Sequence, residues 1–186
     1  HGGSNMQAII DSVRTGILNA NLCAMITNNS NSGAMQRAIN CSVPAFHVSE
    51  ATHGEKATDE IIRIFKEHGV DTVILAGYMK MISPKLIEAF NGRVLNIHPA
   101  LLPKFGGKGM YGMNVHRAVI EAGETVSGAT VHLIDSEYDR GRNLLQGEVP
   151  ILPGDTAEDL AARVLETEHK IYTEVLCQIS KGIIKI

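Results

Sequence analysis

Cysteine is scarce in this sequence, with only Cys23, Cys41 and Cys177 among 186 residues. An odd number of cysteines without short spacing predicts neither a disulfide framework nor a zinc site. A reducing compartment fits this pattern, and we expect a cytoplasmic protein. No apolar run approaches the ~20 residues that a membrane-spanning helix needs, and no signal-peptide pattern is present. We therefore expect no membrane partner.

An excess of positive charge is also lacking, because the formal net charge is -3 at pH 7. A broad basic face for nucleic acid is thus not expected, and small molecules are the predicted partners. Apolar residues make up 44% and charged residues 20%, which is typical of a globular protein. This length fits a single domain, predicted over 1–186. Whether the protein is a monomer or a homodimer is left open.

Several familiar catalytic patterns are missing from the sequence. The eight histidines form no His-Glu-x-x-His pattern, and no cluster of His, Cys or carboxylate residues has the spacing of a zinc site. There is no Gly-x-Ser-x-Gly elbow and no Walker A loop. We therefore predict that no metal takes part in catalysis.

Short apolar runs alternate with amphipathic segments along the chain, which predicts an α/β fold. The expected architecture is an open, mostly parallel twisted sheet with helices on both faces. A capping box formed by Asp155 and Glu158 is expected to start a long last helix that ends near Ser180. Ligands of such sheets bind beyond the carboxyl ends of the strands. Strands are predicted at 22–27, 45–48, 72–76, 94–97, 129–134 and 144–151.

The chain opens directly on Gly2-Gly3-Ser4-Asn5, ahead of a helix predicted over Met6–Arg14 with Asn5 as its N-cap. Helix N-termini present unpaired N–H groups and bind phosphate well, although a simple N-cap explains the same residues. In this architecture a strand should precede the glycines. Because residue 1 is His rather than Met, we expect that an N-terminal segment with this first strand is missing from the sequence.

The segment Asn96-Ile97-His98 ends a predicted buried strand. Residues two apart in a strand point to the same face, so Asn96 and His98 are expected to project together. A carboxamide donor beside an imidazole suits a carbonyl that becomes an oxyanion. The alternative interpretation is a polar strand end with a hydrogen-bonded structural histidine.

Asp139 lies in a turn-like segment between two predicted strands. A carboxylate near His98 would raise the pKa of that histidine, orient its ring, and accept a proton from an attacking amine. An ordinary turn aspartate before a glycine is the alternative.

Two segments resemble the folate-dependent formyltransferases. One is Leu95–Pro103, and the other is His132 followed by Asp139, Gly141 and Gln146. The resemblance implies the formyltransferase fold, with a Rossmann-like first half, and a catalytic set of Asn96, His98 and Asp139. It also implies that 10-formyltetrahydrofolate supplies the formyl group.

Along nearly all of the chain, the sequence is most similar to the family members that formylate the amine of glycinamide ribonucleotide in purine synthesis. This similarity implies that 1–97 forms the nucleotide-binding half and 98–186 the folate-binding and catalytic half. The implied contacts to the nucleotide are Gly3, Ser4, Asn5, Leu165, Glu166, Thr167 and Glu168. The implied contacts to the folate are Met79, Lys80, Met81, Ile82, Asn96, Asp135, Ser136, Glu137, Tyr138 and Asp139.

The sequence departs from the family pattern in three places. Arg142 and Asn143 stand where a proline and an aliphatic residue are usual, Asn114 replaces a common histidine, and the loop 105–112 is longer than in many members. Two alternatives therefore remain open. One is a formyltetrahydrofolate hydrolase, which uses water as the acceptor, and the other is a non-catalytic binder of folate or nucleotide with the same fold.

Overall fold

The computed structural model describes residues 2–135, 137 and 139–186. Helices and strands alternate through the first half of this part of the chain, as predicted. The strands are β1 (Met25–Thr27), β2 (Ala45–His47), β3 (Val73–Ile74), β4 (Val94–His98), β5 (Val126–Leu133) and β6 (Asn143–Pro150). The helices are α1 (Ser4–Arg14), α2 (Gly33–Asn40), α3 (Glu50–His53), α4 (Ala57–Glu67), α5 (Pro84–Ala89), α6 (Met113–Glu121) and α7 (Ala157–Ser180), with a 3₁₀ turn at Gly54–Lys56.

The strands form two sheets. β1 and β2 pair in parallel, while the larger sheet has the order β3-β4-β5-β6. Within the larger sheet β3 and β4 are parallel, and β4, β5 and β6 are joined by antiparallel pairing. The predicted α/β fold is thus confirmed, with its parallel part in the first half of the chain.

The core lies between the larger sheet and α7. Leu95 on β4 and Val131 on β5 have no exposed surface, and Val164 and Val175 on α7 are equally buried. The Tyr172 hydroxyl on α7 lies 2.9 Å from the Leu75 carbonyl oxygen and 3.1 Å from that of Leu95. This hydroxyl therefore ties α7 to the end of β3 and to the first half of β4.

A cleft of about 1450 Å³ separates β1 from β3 and is lined by apolar side chains of α1 and α7. Met25 donates its N–H to Pro44 and Val73 donates its N–H to Arg93, both away from the cleft. Because backbone groups alternate along a strand, those of Ile26 and Ile74 face the cleft. The first strand expected ahead of Gly2 stays a prediction.

Two predicted helix starts are wrong by one or two residues. α1 begins at Ser4 with Gly3 as its N-cap, because Gly3 adopts the left-handed conformation at φ 73 and Asn5 already lies within the helix. α7 is capped by Thr156 and Asp159, each side chain accepting the other residue's backbone N–H. Asp155 instead accepts the Leu152 N–H and pairs with Arg163.

None of the described helices combines the length and apolarity required to cross a bilayer.

Candidate functional site

Asn96 and His98 lie on the same face of β4, as the period of two along a strand requires. β4 is the second strand of the larger sheet and lies between β3 and β5, and Asn96 is half-buried. His98 is only 3% exposed. The predicted juxtaposition of the two side chains is therefore present, and it sits in a largely buried environment.

Asp139 is brought to these residues by the turn that follows β5. Its Oδ2 lies 3.6 Å from His98 Nδ1, and its side chain is 12% exposed. The residue has φ 55, a left-handed conformation that aspartate tolerates better than most residues. The structure thus places Asp139 beside His98, and His132 links it to Asn96.

His132 was noted in the sequence only as part of a family signature, and the structure shows a direct role at the site. It is paired with Asn96 across β4 and β5, beside an irregularity in the β5–β6 register. Its Nε2 lies 3.2 Å from Asn96 Nδ2 and 3.6 Å from Asp139 Oδ1. Its Nδ1 lies 3.0 Å from the Leu133 carbonyl oxygen.

These contacts determine the tautomer of His132. A carbonyl oxygen accepts hydrogen bonds, so His132 Nδ1 carries the proton and Nε2 accepts one from the Asn96 amide. The orientation of the Asn96 carboxamide is then fixed. The second hydrogen on Asn96 Nδ2 stays available for a substrate oxygen.

Burial dominates the titration of both histidines. It lowers the pKa of His98, although the Asp139 carboxylate and the Phe105 carbonyl oppose it. Burial also lowers the pKa of His132. As expected, the Asp139 carboxylate by itself raises the pKa of His98. Burial outweighs this contribution, so the pKa of His98 is lowered overall. Both rings are therefore mainly neutral at pH 7 before a substrate proton arrives.

Backbone just beyond His98 is held by two polar side chains of the neighbouring strands. Thr130 Oγ1 donates to the Ala100 carbonyl at 2.7 Å and accepts the Leu102 N–H at 3.1 Å. Gln146 Nε2 donates to the Leu102 carbonyl at 2.9 Å. Gln146 was a signature residue in the sequence, and here it anchors the segment that leaves β4.

The start of the chain meets the last helix at a second polar contact. Asn5 Nδ2 donates to Glu168 Oε2 at 2.6 Å, across 163 positions of sequence. Glu168 is 9% exposed, and burial raises the pKa of its carboxyl. Asn5 Oδ1 is buried and has no hydrogen-bond partner within the described residues. Two segments assigned by resemblance to the same nucleotide thus lie side by side.

Other residues of the predicted nucleotide set are arranged differently. Gly3 is buried and Ser4 is half-buried at the start of α1. Leu165 and Glu166 are exposed on α7, whereas Glu168 is buried. The methyl group of Thr167 packs against Gly147 of β6. The structure therefore groups Gly3, Ser4, Asn5 and Glu168, and leaves the other three at the periphery.

The predicted folate contacts form an open rim. Met79 and Met81 are 55% and 56% exposed, and Lys80 pairs with Glu50 at 2.7 Å. Ile82 packs on the small apolar cluster around Leu86.

The second predicted folate segment follows β5. Asp135 Oδ1 accepts the Glu137 N–H at 2.9 Å. Ser136 and Tyr138, also predicted to contact folate, lie outside the described residues.

The unusual residues Arg142 and Asn143 do not enter the site. The Arg142 guanidinium donates to the Lys185 carbonyl near the end of the chain. Asn143 is exposed at the first position of β6. Among the described residues, no group of three or more His, Cys, Asp or Glu side chains is arranged to hold a metal ion.

Comparison with known proteins gives a consistent result. The pattern of the formyl transferase family matches residues 1–176. The chloroplastic phosphoribosylglycinamide formyltransferase of Arabidopsis thaliana is 42% identical over 99% of the chain, which spans 64% of that relative's length. The crystal structure of glycinamide ribonucleotide transformylase 1 from Symbiobacterium toebii superposes with a TM-score of 0.92 at 36% identity, covering 100% of this chain and 86% of that one.

A formyltetrahydrofolate deformylase from Pseudomonas syringae also has this fold. It superposes with a TM-score of 0.87 at 22% identity, covering 97% of this chain and 59% of that one. At this identity the likeness concerns the fold alone.

Proposed function

The chain belongs to the formyl transferase family, and on that premise we propose that it transfers the formyl group of 10-formyltetrahydrofolate to the amine of glycinamide ribonucleotide. Its relatives are named for this formyl transfer, which would be a step of purine synthesis. The observation that carries the proposal is the arrangement of Asn96, His98 and Asp139, which unites an oriented amide donor with a histidine–carboxylate pair.

In the proposed reaction the nucleotide amine attacks the formyl carbon, and negative charge develops on the formyl oxygen. The Asn96 Nδ2 hydrogen that His132 does not use donates to this oxygen. The proton lost by the amine moves to the pair of Asp139 and His98, directly or through water, and the charged imidazole stabilises the oxyanion. The bond from carbon to the folate nitrogen then breaks, and that nitrogen takes up the proton.

Binding contacts complete the proposal. Gly3, Ser4 and Asn5 at the start of α1 would hold the nucleotide phosphate, since helix N-termini favour anions. Glu168 would contact the nucleotide beside Asn5. The rim at Met79–Ile82 and the segment from Asp135 to Asp139 would face the folate. Fixing both substrates in this way converts a bimolecular step into an intramolecular one.

Direct measurement of transfer tests the proposal. The protein is mixed with 10-formyltetrahydrofolate and glycinamide ribonucleotide, and deformylated folate is followed by its absorbance. We expect folate release that requires the nucleotide and is lost in His98→Ala. Release without nucleotide would identify a hydrolase instead. Bound folate with no release would identify a binder, for which Arg142 and Asn143 give no support because neither enters the site.

The predictions on metals, partners, oligomeric state and location are not changed by the fold or by the site. Small-molecule substrates fit the family, while the absence of a metal, of a nucleic-acid partner and of a membrane partner stay predictions. The choice between monomer and homodimer is open. The cytoplasmic location also stays a prediction, because a plant relative is chloroplastic by name.

A further inference from the structure

The turn Phe105–Gly107 approaches the catalytic pair with its backbone. Phe105 has φ 54, a conformation that phenylalanine rarely adopts, and Gly107 has φ 96. The Phe105 carbonyl oxygen lies 2.8 Å from His98 Nε2. The Gly107 N–H donates to Asp139 Oδ2 at 2.9 Å. Two atoms of one turn therefore hold the histidine and the carboxylate.

A side chain at the position between these two backbone groups would displace its neighbours. A β-carbon on Gly106 would lie 2.6 Å from Leu102 Cδ2 and 3.2 Å from Asp139 Cβ, both too close for an ordinary contact. Gly106 thus lets the turn pass directly against Asp139. The loop 105–112, which is longer than in many family members, places its first residues at the reacting centre.

Both ring nitrogens of His98 face acceptors of the protein. Nε2 faces the Phe105 carbonyl, and Nδ1 lies 3.6 Å from Asp139 Oδ2. The neutral ring therefore carries its proton on Nε2, because the Phe105 oxygen is within hydrogen-bond distance whereas the Asp139 oxygen at 3.6 Å is not. A second proton would enter at Nδ1, on the side of Asp139.

We propose that the turn Phe105–Gly107 is a positioning device that holds His98 and Asp139 as a fixed pair, with the Phe105 carbonyl orienting the ring so that Nδ1 faces Asp139. This inference rests on the proposed formyl transfer. In this reaction Asn96 donates a hydrogen bond to the formyl oxygen, and His98 receives a proton.

The first test needs no substitution. The imidazole ¹⁵N chemical shifts of His98 are measured in the intact protein at a pH where the ring is neutral, with the signals assigned by their loss in His98→Gln. We expect protonated Nε2 and bare Nδ1. Protonated Nδ1 would overturn the inference, whether or not the protein transfers formyl groups. An inactive protein with protonated Nε2 would refute the proposed function and leave the positioning intact.

The second test is Gly106→Ala, with Lys108→Ala as the control because Lys108 is exposed in the same loop. A displacement of reacting groups by about 1 Å costs about 10²-fold in rate, so we expect that loss in kcat, with KM for both substrates nearly unchanged. The preference for protonated Nε2 should weaken as well. A Gly106→Ala protein that unfolds like the parent on heating and keeps its kcat would overturn the inference. If Gly106→Ala does not fold, the ¹⁵N measurement decides.

Discussion

The reacting centre and the predicted folate rim lie at the same edge of the larger sheet, yet they are built in opposite ways. His98 and His132 are 3% and 1% exposed. His98 is hydrogen-bonded through Nε2 and lies beside the Asp139 carboxylate, and His132 is hydrogen-bonded through both ring nitrogens. Met79 and Met81 at the rim are more than half exposed. Groups that stabilise charge need fixed geometry, whereas flexible methionines adapt to an apolar ligand surface. Substitutions should therefore cost far more at the centre than at the rim.

After the loss expected for His98→Ala, the largest effect is expected for Asn96→Ala. This substitution removes the proposed oxyanion donor, and losing one such donor typically costs about 10²–10³-fold in kcat. Steady-state kinetics with both substrates check this, and a change in KM alone would contradict the role. Asn114→Ala is a suitable control, because Asn114 is exposed on α6 and, among the described residues, its side chain bonds only to the Gly109 carbonyl.

A smaller effect is expected for Glu168→Gln at the contact with Asn5. A hydrogen bond to a charged group is worth about 1.5–3 kcal/mol, so KM for the nucleotide should rise roughly 10–100-fold if Glu168 binds it as a carboxylate. KM for the folate should stay unchanged. Glu166→Gln, on the exposed side of α7, provides the matched control. Equal effects of the two substitutions would show that Glu168 has no specific contact.

His132 should contribute less, because it acts through Asn96. In His132→Leu the amide loses one fixed hydrogen bond, worth about 1 kcal/mol, so we expect roughly a fivefold loss of kcat. His132→Gln should recover part of it, since the Gln oxygen can accept from Asn96.

The pH profile distinguishes this role from simple packing. Neutral His132 accepts from Asn96, and protonation would replace this acceptor with a donor. Burial lowers the pKa of His132, with Asp139, Asp135 and His98 as the charged neighbours, so its effect on kcat should appear only as the pH falls below 6.5. In His132→Gln this part of the acid limb should disappear. An identical limb in the parent and in His132→Gln would assign the titration to His98 instead.

The smallest effect is expected at the rim. Met79→Ala removes an exposed side chain, and such changes usually stay within about 0.5 kcal/mol, which corresponds to about a twofold rise in KM for the folate. kcat should not change. A loss of kcat as large as that of Asn96→Ala would remove the contrast between the centre and the rim.

Much of the fold could be predicted from local sequence patterns. The alternation of helices and strands, and the common face of Asn96 and His98, follow from periods that are properties of the backbone. Boundaries were less accurate where pairing decides them. The predicted strand 72–76 is Val73–Ile74 in the structure, although Leu75 also donates its N–H to β4. Asp155 and Thr156 are both suitable N-caps for α7 by their residue type. Asp155 pairs with Arg163, and Thr156 caps the helix instead.

The sequence by itself determined the class of fold, the pairing of Asn96 with His98 and the family pattern around them. These are local properties, and a strand or a motif keeps them wherever it is placed. The tertiary structure alone decided that His132 orients the Asn96 amide, that Glu168 meets Asn5 and that the backbone of Phe105–Gly107 contacts His98 and Asp139. Each of these contacts joins segments distant in sequence or uses backbone atoms common to all residues. Such contacts leave no sequence pattern, and only chain packing brings them together.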